Sequence, residues 1–143
     1  MWSSVTNKGT DLQWVVEALR NGTAIWVTDG SFFKKIAPTI SGAGWVIFYT
    51  SCEKRMYGQF FESSAYAGSY RAELLGLLAI HTLVAAIEKF YGITVASAKI
   101  CCDNQGALFK SKEYRRHIPT GLSQADIKQA LYNIKTTLKT SFD

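Results

Sequence analysis

The chain has 143 residues, of which 48% are hydrophobic and 13% aromatic, and it carries 16 lysines and arginines against 11 aspartates and glutamates. This length and composition fit one globular domain with a buried core and exclude a disordered or low-complexity chain. The net charge of +5 suits a polyanionic partner, although many basic domains bind nothing acidic.

Membrane insertion and secretion are not expected from this sequence. The longest uncharged apolar stretch lies between Glu73 and Glu88 and is too short to span a bilayer, and the N-terminal residues include no apolar signal segment. The cysteines, Cys52, Cys101 and Cys102, have neither a paired disulfide pattern nor zinc-ligand spacing. We therefore expect a protein of a reduced intracellular compartment, either the cytoplasm or the nucleus.

The N-terminal half of the chain predicts one helix and three strands. The helix covers residues 10–21, where apolar residues recur at the helical spacing after a capping-box pattern and before an Asn-Gly pair. Three apolar strands follow at residues 24–28, 44–49 and 55–61, and the segments between them are short enough for hairpins. Residues 1–23 are expected to form an N-terminal extension.

The C-terminal half predicts a long helix over residues 70–90, which ends before Gly92. A fourth strand at residues 98–102, a short helix at 105–111 and a final helix at 123–139 complete the pattern. The predicted order is α, β, β, β, α, β, α, α.

Chain connectivity brings three acids to one edge of the predicted sheet. If the first three strands form an antiparallel meander, the long helix begins where the third strand ends, and the fourth strand returns parallel to the first. Asp29 then lies at the end of the first strand, Glu73 in the first turn of the long helix, and Asp103 directly after the fourth strand. The predicted fold class is α/β, with a mixed sheet of this meander and a parallel fourth strand, flanked by helices.

The three acids favour a site for divalent cations. Taken singly, each has an ordinary explanation: Asp29 fits an Asp-Gly turn, Asp103 a helix N-cap and Glu73 the helix dipole. However, Glu73 shares the apolar stripe of its helix, where an unpaired carboxylate is costly, and gathered carboxylates repel one another unless a cation lies between them. Oxygen ligands without histidine or cysteine favour Mg²⁺ or Mn²⁺ over zinc.

Four segments of the chain form a combination that matches a known family. They are Thr28-Asp29-Gly30-Ser31, Gly42-Ala43-Gly44-Trp45, Tyr70-Arg71-Ala72-Glu73-Leu74-Leu75-Gly76-Leu77 and Cys102-Asp103-Asn104. Together they resemble the ribonuclease H domain of the ribonuclease H-like superfamily, especially the domains attached to retroelement reverse transcriptases. The resemblance covers about residue 25 to the last helix and makes residues 24–143 the expected domain.

The resemblance implies a two-metal hydrolase that cuts the RNA strand of an RNA–DNA hybrid, with a reverse transcriptase polymerase domain as a partner in the same polypeptide. The three acids would hold two Mg²⁺ or Mn²⁺ ions, one generating the attacking hydroxide and the other stabilising the leaving oxygen. It also implies that the backbone at Gly30 and Ser31 and the side chain of Asn104 meet the RNA strand near the cut. A 2′-hydroxyl contact would distinguish RNA from DNA.

Several basic and aromatic residues have two interpretations each. Arg71 either reaches a phosphate or faces solvent, and Tyr114 either stacks on nucleic acid or packs beside a helix. The densest basic stretch either grips the DNA-strand backbone or forms a solvated face. It contains Lys110, Lys112, Arg115 and Arg116. His81 lies among apolar residues in mid-helix and is more typical of a core histidine than of a catalytic one.

The chain departs from the family pattern near its C-terminus. In the family a fourth carboxylate begins a terminal helix, after a last strand and a histidine-bearing loop. Only residues 140–143 follow the last predicted helix, so we expect an incomplete domain without that strand and helix, and weak or absent cleavage by the isolated chain. Asp126 fits a capping box, Asp143 ends the chain and His117 precedes the last helix, so none of them replaces the missing residues.

Two other functions remain open. The domain is either catalytic or a non-catalytic nucleic-acid-binding or scaffold domain with the same fold, and the retention of all three acids favours catalysis. A related nuclease or strand-transfer enzyme would use the same metal site on another substrate. The early position of the acid in the Tyr-Arg-Ala-Glu-Leu segment favours ribonuclease H over that option. The sequence does not indicate an oligomeric state.

Overall fold

The computed structural model describes residues 4–7, 12–49, 54–102 and 124–142, which contain six strands and three helices. The strands are β1 (Ser4–Asn7), β2 (Ala24–Ser31), β3 (Ile40–Phe48), β4 (Met56–Ser63), β5 (Ala96–Cys102) and β6 (Thr140–Phe142). The helices are α1 (Gln13–Asn21), α2 (Ser69–Tyr91) and α3 (Ala125–Lys135).

The strands form one mixed sheet in the order β1-β4-β3-β2-β5-β6. β2, β3 and β4 are an antiparallel meander, and β5 lies parallel to β2 on its other side. This confirms the predicted α/β class and its sheet, because α2 provides the crossover that a parallel neighbour requires. β1 extends the edge by pairing antiparallel with β4, and α1 contributes buried residues to the core.

β6 corrects the expectation that the last strand is missing. It pairs in parallel with the first half of β5. The carboxylate of Glu88, which is 6% exposed, accepts hydrogen bonds from the backbone N–H groups of Lys139 and Thr140 and so fixes the start of this strand. The sequence pattern does not predict β6, because the strand has three residues and its one large apolar side chain is Phe142.

α2 is the central helix of the core. Its apolar stripe is fully buried, with Leu77, Ile80 and Val84 at 0% exposure and Ile87 at 2%. Among the described residues it is the one helix with the length and hydropathy of a membrane span. Most of its residues are buried against β2, β3 and α3, as in the central helix of a folded domain.

The helix boundaries differ from the predictions where capping boxes were expected. α1 begins at Gln13 and ends, as predicted, before a left-handed Gly22 with φ of 71°. α3 begins at Ala125 after Gln124, and the side chain of Gln124 makes no capping hydrogen bond. The predicted short helix at residues 105–111 lies outside the described residues.

Candidate active site

Two glycines allow the first turn of α2 to lie directly on β2. A Cβ atom built on Gly30 would lie 2.7 Å from the backbone nitrogen of Glu73 and 2.8 Å from Cβ of Ala72, so a larger residue would displace the helix. Farther along α2, a Cβ atom on Gly76 would lie 3.2 Å from Cβ of Thr28. The close approach of helix and strand therefore depends on the absence of side chains at these positions.

Glu73 is buried beneath this contact, at 8% exposure, as its place on the apolar stripe predicts. Its Oε1 accepts a hydrogen bond of 3.1 Å from the backbone N–H of Gly30. Such a bond offsets part of the cost of burying a carboxylate. It also fixes the Glu73 side chain beside the strand residue that follows Asp29.

Asp29 and the end of β5 lie at the same edge of the sheet. The side chain of Asp29 is exposed, and so is that of Ser31 at the end of β2. Thr28 pairs in register with Cys102, the last residue of β5. The next residue in the sequence, Asp103, lies outside the described residues, as does Asn104.

The carboxylate groups that the structure describes at this edge are suitable ligands for a hard divalent cation. Asp29 and Glu73 offer carboxylate oxygens, the ligands that Mg²⁺ and Mn²⁺ prefer. Within the described ranges no three side chains of histidine, cysteine, aspartate or glutamate gather at one point. A third carboxylate would therefore come from a residue outside those ranges, and Asp103 has the appropriate place in the sequence.

Arg71 is 3% exposed, so the interpretation of a solvent-facing arginine is wrong. Its Nε and Nη2 donate to the two carboxylate oxygens of Glu62 at 2.6 and 3.1 Å. Its Nη1 and Nη2 donate to the two oxygens of Asp126 at 2.9 and 2.8 Å, and Nη1 also donates to Oε1 of Gln124 at 3.0 Å. We call these four residues the Arg71 clamp.

The clamp changes the roles expected for two residues. All five N–H donors of Arg71 are engaged within the protein, so the structure does not support the expected phosphate contact. Asp126, expected as a capping-box acid, binds Arg71 through its carboxylate, while Ser123, the residue that it would cap, lies outside the described residues. The hydrogen bond between Arg71 and Asp126 raises the pKa of the guanidinium and lowers the pKa of the carboxyl.

His81 is a core histidine, as its position in mid-helix predicts. It is 1% exposed, and its Nδ1 lies 2.6 Å from the carbonyl oxygen of Leu77, which assigns the Nδ1–H tautomer. Burial lowers the pKa of His81 to about 4, and the nearby charge of Lys135 acts in the same direction. The ring is therefore neutral near pH 7 and packs against Phe142.

A basic segment beside the site was missed by the sequence analysis. Lys34 and Lys35 are exposed in the connection that leaves β2 after Ser31, and Phe33 is 64% exposed. The available signal was a pair of adjacent lysines three and four residues after the Asp-Gly-Ser segment. The other predicted nucleic-acid residues, Lys110, Lys112, Tyr114, Arg115, Arg116 and His117, lie outside the described residues.

The arrangement of the sheet, with a helix closing over the end of its central strand, matches that of solved ribonuclease H structures. The chain has the ribonuclease H fold. LC11-RNase H1, solved in complex with an RNA/DNA hybrid, is 13% identical, with 84% of this chain and 83% of that chain covered and a TM-score of 0.62. No protein-family model and no curated protein sequence matches the chain.

Viral ribonuclease H structures are similar to the chain as well. The PFV RNase H domain is 11% identical over 85% of this chain and 77% of that one, with a TM-score of 0.56. The Prototype Foamy Virus protease-reverse transcriptase is 15% identical over 85% of this chain and 17% of that one, with a TM-score of 0.55. The chain therefore resembles ribonuclease H domains that include one from a reverse-transcribing virus.

Proposed function

We propose that this domain is a metal-dependent endonuclease that hydrolyses the RNA strand of RNA–DNA hybrids. The observation that carries the proposal is the hydrogen bond from Gly30 to Glu73, because it holds a buried carboxylate against the strand that carries Asp29. Burial of a carboxylate is costly, and a bound cation would compensate for that cost. The likeness of the fold to a protein solved with an RNA/DNA hybrid supports the substrate class.

Asp29, Glu73 and Asp103 are the proposed ligands of two Mg²⁺ or Mn²⁺ ions. When bound, such ions supply a hydroxide nucleophile and neutralise the charge that develops on the leaving oxygen. The contribution of the protein is preorganisation, because the backbone of Gly30 fixes the Glu73 carboxylate through the fold itself. Exposed Asp29 is available from the solvent side of the same edge.

The nucleic acid would lie across this edge of the sheet. The backbone at Gly30 and Ser31 and the side chain of Asn104 are proposed to contact the RNA strand near the cut, where a 2′-hydroxyl identifies RNA. The basic stretch between β5 and α3 is proposed to neutralise phosphates of the DNA strand. The likeness to a viral protease-reverse transcriptase supports a retroelement setting, with a polymerase domain in the same polypeptide.

A cleavage assay with labelled nucleic acids tests the proposal. The chain, and any longer form that its gene encodes, would be incubated with RNA–DNA hybrid, duplex RNA and duplex DNA in Mg²⁺ or Mn²⁺. We expect cleavage of RNA in the hybrid alone, leaving 3′-hydroxyl and 5′-phosphate ends, and loss of that cleavage in Asp29→Asn. The cleavage should be weak or absent with the isolated chain and stronger with a longer form. Glu17→Gln is the matched control, because Glu17 is an exposed acid on α1.

The same assay separates the competing functions. Binding of hybrid without cleavage in either form would show a non-catalytic nucleic-acid-binding domain. Cleavage of duplex DNA would show a nuclease of another substrate class. Cleavage that survives in Asp29→Asn would overturn the proposed site even if the substrate is correct.

A further inference from the structure

We propose that Arg71 is a positioning residue, which holds the N-terminal end of α2 in place and so orients Glu73, the fifth residue of the helix, for metal binding. The inference rests on the proposed metal site and adds to it a residue without direct contact with the metal or the nucleic acid. Arg71 and Glu73 lie two positions apart in the same turn of α2. Arg71 binds β4 and α3 on one side of this turn, and Glu73 binds β2 on the other.

The first turn of α2 has no side-chain cap of its own. Its N-cap residue is Gly68, and no side chain at that position can bond the free N–H groups of the helix. The start of the helix is held instead by contacts with distant residues. Gly68 donates its backbone N–H to Oγ of Ser41 at 3.2 Å, and the Arg71 clamp begins three residues later, within the same first turn. The position of Glu73 therefore depends on tertiary contacts.

The geometry of the clamp fixes the orientation of the Arg71 guanidinium as well as its position. Glu62 and Asp126 each accept two hydrogen bonds, so two carboxylates hold the planar guanidinium from two sides. A lysine ammonium has three donors on a flexible stem and cannot form two such bidentate pairs. Because Arg71 is buried, each of these bonds also compensates for the lost hydration of its charge.

The clamp also connects the metal site to α3. Gln124 and Asp126 lie at the start of that helix, and Nε2 of Gln124 donates to the carbonyl oxygen of Tyr66 at 3.2 Å, just before α2. Gln124 is the first described residue after the segment that carries Asp103 and the basic stretch. The clamp therefore fixes the start of α3 beside the N-terminal end of α2, which carries Glu73.

Two measurements that do not depend on nuclease activity test this role. The first is the NMR chemical shift and hydrogen exchange of the Gly30 amide, which reports its bond to Glu73. The second is the affinity for Mn²⁺, measured by calorimetry. In Arg71→Met we expect the Gly30 amide to shift upfield and exchange faster, and the Mn²⁺ affinity to fall by about 10-fold or more, as is typical when the support of a metal ligand is removed.

Glu88→Gln is the matched control. Glu88 lies at the other end of α2 and is similarly buried. Like Arg71 it binds residues distant in the sequence, here through their backbone N–H groups, but it has no contact with the turn that carries Glu73. We expect this variant to lose stability while the Gly30 amide and the Mn²⁺ affinity stay unchanged. Arg71→Lys should behave like Arg71→Met, because the second bidentate pair is still lost.

A further variant keeps the test decisive if Arg71→Met does not fold. Asp126→Asn weakens one of the two carboxylate contacts of Arg71. The side chain of Asp126 is 61% exposed, so the fold should tolerate the substitution. We expect smaller changes than in Arg71→Met, in the same direction, in the Gly30 amide and in the Mn²⁺ affinity. A Gly30 amide and a Mn²⁺ affinity that move no more than in Glu88→Gln would overturn the positioning role alone. Absence of Mn²⁺ binding by the unmodified chain would overturn the proposed function, and the Gly30 amide would still report whether the clamp orients Glu73.

Discussion

Position 30 of β2 requires glycine because α2 lies too close for a side chain. In Gly30→Ala the new Cβ would meet the backbone nitrogen of Glu73 at 2.7 Å, and backbone cannot move aside as a flexible side chain can. We expect the first turn of α2 to shift away from β2, with a loss of about 1–3 kcal/mol in the free energy of unfolding, as for other overpacked sites. Mn²⁺ affinity should fall with it, because Glu73 moves.

Gly44→Ala provides the control for this substitution. Gly44 lies opposite Asp29 in the neighbouring strand, but a Cβ atom there would have its nearest neighbour, the carbonyl oxygen of Gly58, at 3.9 Å. Urea unfolding should show little loss of stability in Gly44→Ala. Equal losses in both variants would mean that the cost arises from strand glycines in general and not from the contact with α2.

His81 should make stability depend on pH in one direction. Its pKa is about 4 in the folded protein and about 6.5 when unperturbed, so the unfolded chain binds a proton that the folded chain does not. The free energy of unfolding should therefore fall as the pH falls from about 7 to 4, by about 3 kcal/mol in total, and the slope from this group should vanish well above pH 6.5.

Denaturant unfolding of the chain and of His81→Leu over this pH range checks the prediction. The difference in stability between the two proteins should change by that amount between pH 7 and pH 4. Carboxylates such as Asp126, whose pKa is lowered by Arg71, titrate in both proteins and cancel in the comparison. A difference that is constant with pH would contradict the buried, neutral state of His81.

At the scale of elements, periodicity predicts long helices better than short strands. α2 was predicted at residues 70–90 and is found at Ser69–Tyr91, because its buried stripe repeats over many turns and Gly92 ends it. β1 and β6 have four and three residues, too few for an alternating pattern, and both were missed. Short edge strands form because they pair with a neighbouring strand. That neighbour is distant in the sequence, so the local pattern does not predict the pairing.

The partners of charged side chains were beyond prediction for a related reason. Arg71 binds Glu62, Gln124 and Asp126, which lie 9, 53 and 55 residues away along the chain. Local spacing predicts a capping box at Asp126 but contains no sign of its ion pair with Arg71. By contrast, the contact of Glu73 with Gly30, the residue after Asp29, agrees with the strand order and crossover handedness that are general rules of α/β folds.

Glu88 should anchor β6 without influence on the opposite end of α2. Its two oxygens accept hydrogen bonds from the backbone N–H groups of Lys139 and Thr140 and from the hydroxyl of Thr140. In Glu88→Gln an amide group faces these donors, so we expect a loss of about 1–3 kcal/mol in the free energy of unfolding. Hydrogen exchange at Thr140 and Phe142 should accelerate, and unchanged exchange there would contradict the anchoring role.

At the scale of the whole molecule, we expect the basic stretch between β5 and α3, and not the net positive charge alone, to determine the affinity for the hybrid. If the basic stretch neutralises phosphates, Arg115→Gln with Arg116→Gln should weaken hybrid binding and reduce the slope of log K against log salt concentration by about 1–2. The charge-matched control is Arg20→Gln with Lys89→Gln. Arg20 and Lys89 are exposed in the last turns of α1 and α2, at the end of the sheet opposite Asp29.

Both pairs of substitutions lower the net charge of +5 by the same two units, so any effect of overall charge is equal in the two variants. A smaller salt slope in the Arg115 and Arg116 variant alone would therefore locate the phosphate contacts in the segment between β5 and α3. Equal losses would show that the surplus bases act as a diffuse field. In that case Lys34 and Lys35, which are exposed in the connection that follows β2, become the next pair to substitute, since this connection leaves the sheet at the edge of Asp29.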